Sequence, residues 1–129
     1  MRFMMLLPAP AEVLEQVGDR PDGELVSAMR TYHDEMRKAG VLLLAEGLHP
    51  TSKGVRIKVT GGKKVLTDGP FTEAKEVIAG FWVIQAKSRE EAIEWANRCP
   101  LPEHGLIEIR QIFEDCDFPP EMREKSAGA

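Results

Sequence analysis

Cysteine is scarce. The 129 residues hold two, Cys99 and Cys116. Neither has a Cys or His two to four residues away, so no zinc knuckle is spelled and no disulfide framework is possible. Two reduced thiols fit a cytoplasmic protein. Long apolar runs are absent too, and no stretch approaches the roughly 20 residues of a membrane span. The apolar run Phe3 to Leu7 near the N-terminus, followed by Ala9-Pro10-Ala11, falls short of the roughly 7–15 residues of a signal-peptide core, so it is expected to be a mature strand. Nor is there a basic excess. Lys plus Arg number 17 against 21 Asp plus Glu, a net charge of −4, which argues against a dedicated nucleic-acid binder. Repeats at a fixed period and linkers between domains are likewise lacking.

What remains is an ordinary globular composition, 43% apolar and 29% charged. The length suits one domain and is enough to fold without a disulfide or metal. Phe3 to Leu7 is apolar on both alternating faces and reads as a strand covered on two sides, stopped by Pro8 and Pro10. Residues 11–20 read equally as helix or loop. Asp22 can cap a helix to about Ala39, with Leu25, Met29, Tyr32 and Met36 on one face and Gly40 at its end. His33 falls away from the centre of that stripe and is expected in solvent. Val41–Ala45 is a second doubly apolar strand, followed by a loop from Glu46 to Pro50.

Val55, Ile57 and Val59 alternate with Arg56, Lys58 and Thr60, and Gly61-Gly62 turns that strand into its return, Lys63–Thr67. Thr72–Val77 reads as one helical turn. Ile78–Ala86 reads as a long strand with Phe81 and Val83 on one face and Trp82 and Ile84 on the other. Ser88-Arg89-Glu90-Glu91 is a capping box opening a helix that Pro100 stops, and alternation from Ile107 to Glu114 marks a last strand. The polar residues beyond it, 116–129, read as a tail that frays or lies on a neighbour.

The order β-α-β, hairpin, β-α-β predicts an α+β, ferredoxin-like βαββαβ fold with the hairpin 55–67 inserted. Two helices cover one sheet face only. Strands that are apolar on both faces then predict a second copy packed sheet to sheet, a homodimer.

The densest polar constellation is Asp68-Gly69-Pro70-Phe71-Thr72-Glu73-Ala74-Lys75-Glu76, followed by Gly80-Phe81-Trp82. A turn of this kind can aim Asp68 inward beside aromatics, where a desolvated carboxylate serves as a general acid or base. The alternative is an Asx-type turn in which Asp68 bonds backbone N–H groups while Glu73, Lys75 and Glu76 form a solvated face. His49 can reach such a site from its loop. Glu46 and His49 share an E-x-x-H spacing that brings two metal ligands together only on a helix, and Pro50 argues against one, so no metal is expected. Tyr32 reads as core with its hydroxyl toward a cavity, and Phe71, Phe81 and Trp82 as apolar walls for a ligand. Arg56, Lys58, Lys63 and Lys64 read as a solvated hairpin face.

The segment DGPFTEAKE at 68–76 resembles the signature of the DGPF (DGPFAETKE) family, a branch of the YciI-related (YCII) domain proteins. Glu46-Gly47-Leu48, Ala79-Gly80-Phe81-Trp82 and the run SREEAIEWANRCP at 88–100 fit the same pattern, and the resemblance covers residues 1–115 as a single domain. It implies a dimeric α+β barrel, in a superfamily that includes small isomerases, dehydrochlorinases and monooxygenases. Many YciI-like proteins pair a first-helix His with an Asp, and the position of that His falls near Met29 here, so the simple dyad is missing.

Two functions follow. One is a cofactor-independent lyase or isomerase on a small cyclic metabolite, with Asp68 as acid/base and His49 and Glu46 assisting. The other is a non-catalytic ligand-binding or interaction module, since DGPF-type genes often accompany extracytoplasmic-function sigma factors. Expected partners are a second copy and a small molecule, with no nucleic acid, membrane or cofactor.

Overall fold

The computed structural model describes residues 1–17, 23–71 and 73–124. In chain order the elements are β1 (Arg2–Pro10), α1 (Ala11–Val17), α2 (Gly23–Lys38), β2 (Leu42–Gly47), β3 (Val55–Thr60), β4 (Lys63–Asp68), β5 (Glu76–Gln85), α3 (Arg89–Arg98) and β6 (Glu108–Gln111). Short 3-10 turns cover Thr51–Lys53, Asp115–Asp117 and Pro120–Met122. The main sheet runs β2-β5-β1-β6 with every pair antiparallel, and β3 and β4 form a separate two-stranded sheet. This is the ferredoxin-like α+β plan with an inserted hairpin.

The register decides which side chains meet the helices. Met5 stands opposite Trp82 and Phe3 opposite Ile84. All four are buried, together with Tyr32 and Met36 of α2 and Trp95 of α3. The alternate residues form the other face, where Met4 faces Val83, Leu6 faces Phe81, and Leu44 of β2 also faces Val83. The buried residues of α2 and α3 lie on the first face, and on the second Leu44 is left 44% exposed. The strands are thus apolar on both sides, as their composition requires, but one protomer covers only one side.

Several boundaries depart from the sequence expectation. Pro8 and Pro10 do not end β1. Instead the register shifts between Leu7 and Pro8 and pairing with β5 continues to Pro10. The reason is that β6 pairs only with Phe3 to Leu6, so the far half of β1 is an edge on that side and needs no N–H there. The ambiguous stretch after it forms α1. The capping role of Asp22 lies outside the described residues. Glu46 and Gly47, expected in a loop, extend β2, with Gly47 opposite Gly80. The helical turn expected over Thr72–Val77 is not formed: Thr72 lies outside the described residues, and β5 already begins at Glu76 because its first residues pair with the end of β1.

The α3 cap is as read, with the Ser88 hydroxyl accepting from the Glu91 N–H at 3.1 Å. The Glu91 carboxylate reaches back to the Lys87 N–H at 3.0 Å, one residue beyond the usual box. Beyond β6 the chain is tied to β1 by the Ile112 N–H on the Arg2 carbonyl and by Arg2 on Glu114 at 2.8 Å. These contacts seat the chain just ahead of the tail, within which Arg123 donates to the Phe118 and Cys116 carbonyls. Residues 125–129 lie outside the described part.

Candidate active site at the hairpin root

The motif 68–76 forms the joint between the hairpin and the main sheet. Gly69 donates its N–H to the Gly54 carbonyl at 2.8 Å, closing the hairpin at its base. The Phe71 N–H goes to Thr51 Oγ1 at 3.0 Å, and the Phe71 ring is buried. Arg56 lies over that ring, 3.9 Å from its centroid, and pairs with Glu73 at 3.1 Å. Gly69 is needed for space: a Cβ there would lie 1.7 Å from the Thr51 carbonyl oxygen. The Gly69-Pro70 peptide is cis.

A cleft of about 590 Å³ opens beside this joint, walled by Leu48, His49, Val55, Arg56, Phe71 and Ile78 among others. His49 and Phe71, both singled out from the sequence, line it. Asp68 stands at the end of β4 directly opposite Val55, so it borders the cleft through its strand partner. Its side chain is exposed in the protomer and not aimed inward among aromatics. Glu46 is exposed on the open sheet face opposite Phe81.

Tyr32 and Trp82 lie on the other side of the sheet. They are 3% and 4% exposed, edge to face at 6.4 Å, inside the core. The Tyr32 hydroxyl donates to the Trp95 carbonyl at 2.5 Å instead of facing a cavity. Burial pushes that phenol's pKa up. The structure thus gathers His49, Phe71 and the border residue Asp68, sets Glu46 and Phe81 on the neighbouring open face, and separates Tyr32 and Trp82 from all of them. The sheet register makes the separation: Phe81 and Trp82 are consecutive in a strand and must point to opposite faces.

Arg56 was read as part of a solvated hairpin face. The alternation that placed it there carries no signal of the Phe71 ring, which arrives from beyond the return strand. The hairpin's other basic residues, Lys58, Lys63 and Lys64, are exposed as expected. Among the described residues no three His, Cys, Asp or Glu side chains gather as metal ligands. Cys99 and Cys116 are free thiols, and burial pushes Cys99 up to about 12, far from reactive.

His33 corrects the sequence reading. It is half-buried, and its Nε2 accepts the Trp82 indole N–H at 2.9 Å. Burial lowers its pKa, with Arg37 adding to the effect and Asp34 opposing it. The neutral ring is the form that can accept this bond, so the folded state binds the proton less readily than the unfolded chain. Stability from this group is present above the unfolded value of about 6.5 and is lost as pH falls through the lowered folded value. Denaturation midpoints followed from pH 7.5 downward are expected to fall more for the wild type than for His33→Gln, which keeps an acceptor but does not titrate. Parallel profiles would refute the assignment.

The comparisons with known proteins agree with this architecture. Residues 1–115 match the family described as the YCII-related domain. An uncharacterised protein of Rhizobium meliloti (strain 1021) is 32% identical over 91 residues, 69% of this chain and 70% of that relative. The match runs from β1 through β6 to the first residue of the Asp115–Asp117 turn and so takes in the sheet, the hairpin and the cleft; the chain belongs to the YCII-related domain family.

Proposed function

We propose that the protein, a DGPF-type member of its family, acts in the cytoplasm as a homodimer joined through its open sheet faces. It takes a small, cyclic metabolite into the cleft at the hairpin root. There Asp68 moves a proton in a cofactor-independent lyase or isomerase reaction, with His49 on the cleft wall and Glu46 on the adjoining face assisting. The observation that carries this reading is the cleft itself. Its volume of about 590 Å³ lies within the roughly 300–1,000 Å³ of small-molecule sites, and it combines aliphatic and aromatic walls with a titratable imidazole. The half-buried Met4, Leu6, Phe81 and Val83 and the exposed Leu44 support the dimer. Their face matches a partner of the same kind, in an interface expected to exceed about 1,200 Å² in total.

The exposure of Asp68 in the protomer favours a second reading. On that reading the protein is a ligand-binding or interaction module without turnover, serving an extracytoplasmic-function sigma-factor pathway.

A metabolite library scored by thermal shift, with each binder then assayed for chemical change, separates the two. Asp68→Asn is expected to keep the ligand-induced shift and to lose turnover by about a hundredfold or more. Turnover undiminished in Asp68→Asn would remove Asp68 from the mechanism. Binders with no turnover would leave the module.

A further inference from the structure

The hairpin is the most exposed regular element of the described chain. Every residue of β3 and β4 is exposed. Each strand has six residues, so the arm extends about 20 Å. Its register sets Ile57 opposite Leu66 and places Val55 and Val59 on the same face, with Asp68 opposite Val55 and Lys64 opposite Val59. Those four side chains are 55%, 63%, 65% and 59% exposed for Val55, Ile57, Val59 and Leu66. A two-stranded hairpin is at best marginally stable alone in water, and an exposed aliphatic patch around Ile57 and Leu66 makes its exposure costlier. Yet its root is fixed by the Gly69 and Phe71 hydrogen bonds and by Arg56 between Phe71 and Glu73. An arm anchored at one end, with an aliphatic patch uncovered between Asp68 and Lys64, is shaped to lie on something outside the protomer.

We propose that this arm is a clasp that lays its Val55, Ile57, Val59 and Leu66 face on a second copy of the chain, and that the second copy supplies the missing wall of the cleft at its root. This rests on the homodimer proposed above and adds where the two copies must touch. Charge selects the occupant. The hairpin carries Arg56, Lys58, Lys63 and Lys64 against the single carboxylate Asp68, while the whole chain is at −4. The rest of the chain therefore holds 20 of the 21 carboxylates and 13 of the 17 cations. A second copy carries that acidic excess outside its own hairpin.

It also offers an apolar one. The open sheet face carries Met4, Leu6, Phe81 and Val83, with Glu46 opposite Phe81 and Glu108 opposite Leu6, and Arg110 beside them. An anionic polymer would satisfy the four cations but not the four aliphatic side chains. The cleft needs the same cover, since Leu48 and Ile78 on its wall remain 44% and 41% exposed.

Sedimentation equilibrium on the full chain tests this with two variants, Ile57→Ser/Leu66→Ser on the hairpin and Val83→Glu on the sheet face. Circular dichroism confirms that each protomer is folded. The hairpin variant is expected to raise the dimer dissociation constant at least about tenfold. The amides of Ile57, Val59 and Leu66 are expected to exchange slowly in the wild-type dimer and fast in the Val83→Glu monomer. If the hairpin variant dimerises like the wild type and its amides exchange freely in the wild-type dimer, the clasp is overturned and the sheet-to-sheet dimer stands. A monomeric wild type overturns both. Binding of wild type to anionic phosphatidylglycerol vesicles or heparin that is lost in Ile57→Ser/Leu66→Ser, with dimerisation untouched, assigns the arm to an anionic surface and also overturns the clasp.

Discussion

Gly69→Ala is expected to unseat the hairpin. The added methyl would sit 1.7 Å from the Thr51 carbonyl oxygen, 2.7 Å from its carbon and 3.2 Å from the Gly54 carbonyl oxygen. All three are backbone atoms, so no side chain can rotate away. The chain has to move at the joint, and the first bond to go is the Gly69 N–H on the Gly54 carbonyl. Overpacking of this kind costs about 1–3 kcal/mol, occasionally more. The loss in global stability is limited, because the joint lies outside the main core and can open on its own. We expect a modest fall in the denaturant midpoint, fast amide exchange at the hairpin root, and a cleft that no longer binds what the wild type binds. Gly23→Ala is the control, with nothing within 4 Å of the added atom. Root amides that stay protected in Gly69→Ala would show that the joint is looser than its geometry.

Ile84→Ala is expected to have the largest effect on global stability. Ile84 is fully buried between the helices and the sheet, opposite Phe3 on one side and Leu42 on the other. Deleting an isoleucine's outer carbons in such a place costs about 2–5 kcal/mol, the lost transfer energy plus the cavity left behind. Against a typical total of about 5–15 kcal/mol, that is enough to shift the thermal midpoint strongly. Ile57→Ala, with the same chemistry but 63% exposed on the hairpin, should change protomer stability by less than about 0.5 kcal/mol. Chemical denaturation of the two variants side by side in the Val83→Glu background, where no partner covers the hairpin, checks both values. Equal losses would mean that the hairpin packs on the protomer after all.

Local chemistry was legible wherever a residue's role depends on its sequence neighbours. Alternation around Gly61-Gly62 marked the hairpin, and both glycines take positive φ, 58° and 78°. Ser88 with Glu91 marked the start of α3, and the stripe through Tyr32 and Met36 marked the buried face of α2. The motif at 68–76 stood out as a turn beside aromatics. Its partners did not, because they come from elsewhere in the chain. Thr51 meets Phe71 and Gly69 across the hairpin, Arg56 meets Phe71 and Glu73, and His33 meets Trp82 from 49 residues away. Periodicity places a residue on a face of its own element and says nothing of what that face will touch.

The sequence by itself determined the order of the strands and of the two longer helices, the ferredoxin-like plan, the hairpin insertion and the doubly apolar strands, because these follow from short-range pattern and from the few ways such elements can pack. Tertiary structure alone decided which aromatics could share a site. Phe81 and Trp82 are adjacent in the chain, but antiparallel pairing sends one to the open face and the other to the helices. It also decided that β1 continues through two prolines, since only the length of β6 leaves that edge unpaired. And it decided that Asp68 stands at the border of a cleft in the exposed root of an arm, where burial in the protomer does not reach it. A side chain's environment is a sum over contacts from distant segments, and those are fixed only when the strands find their register.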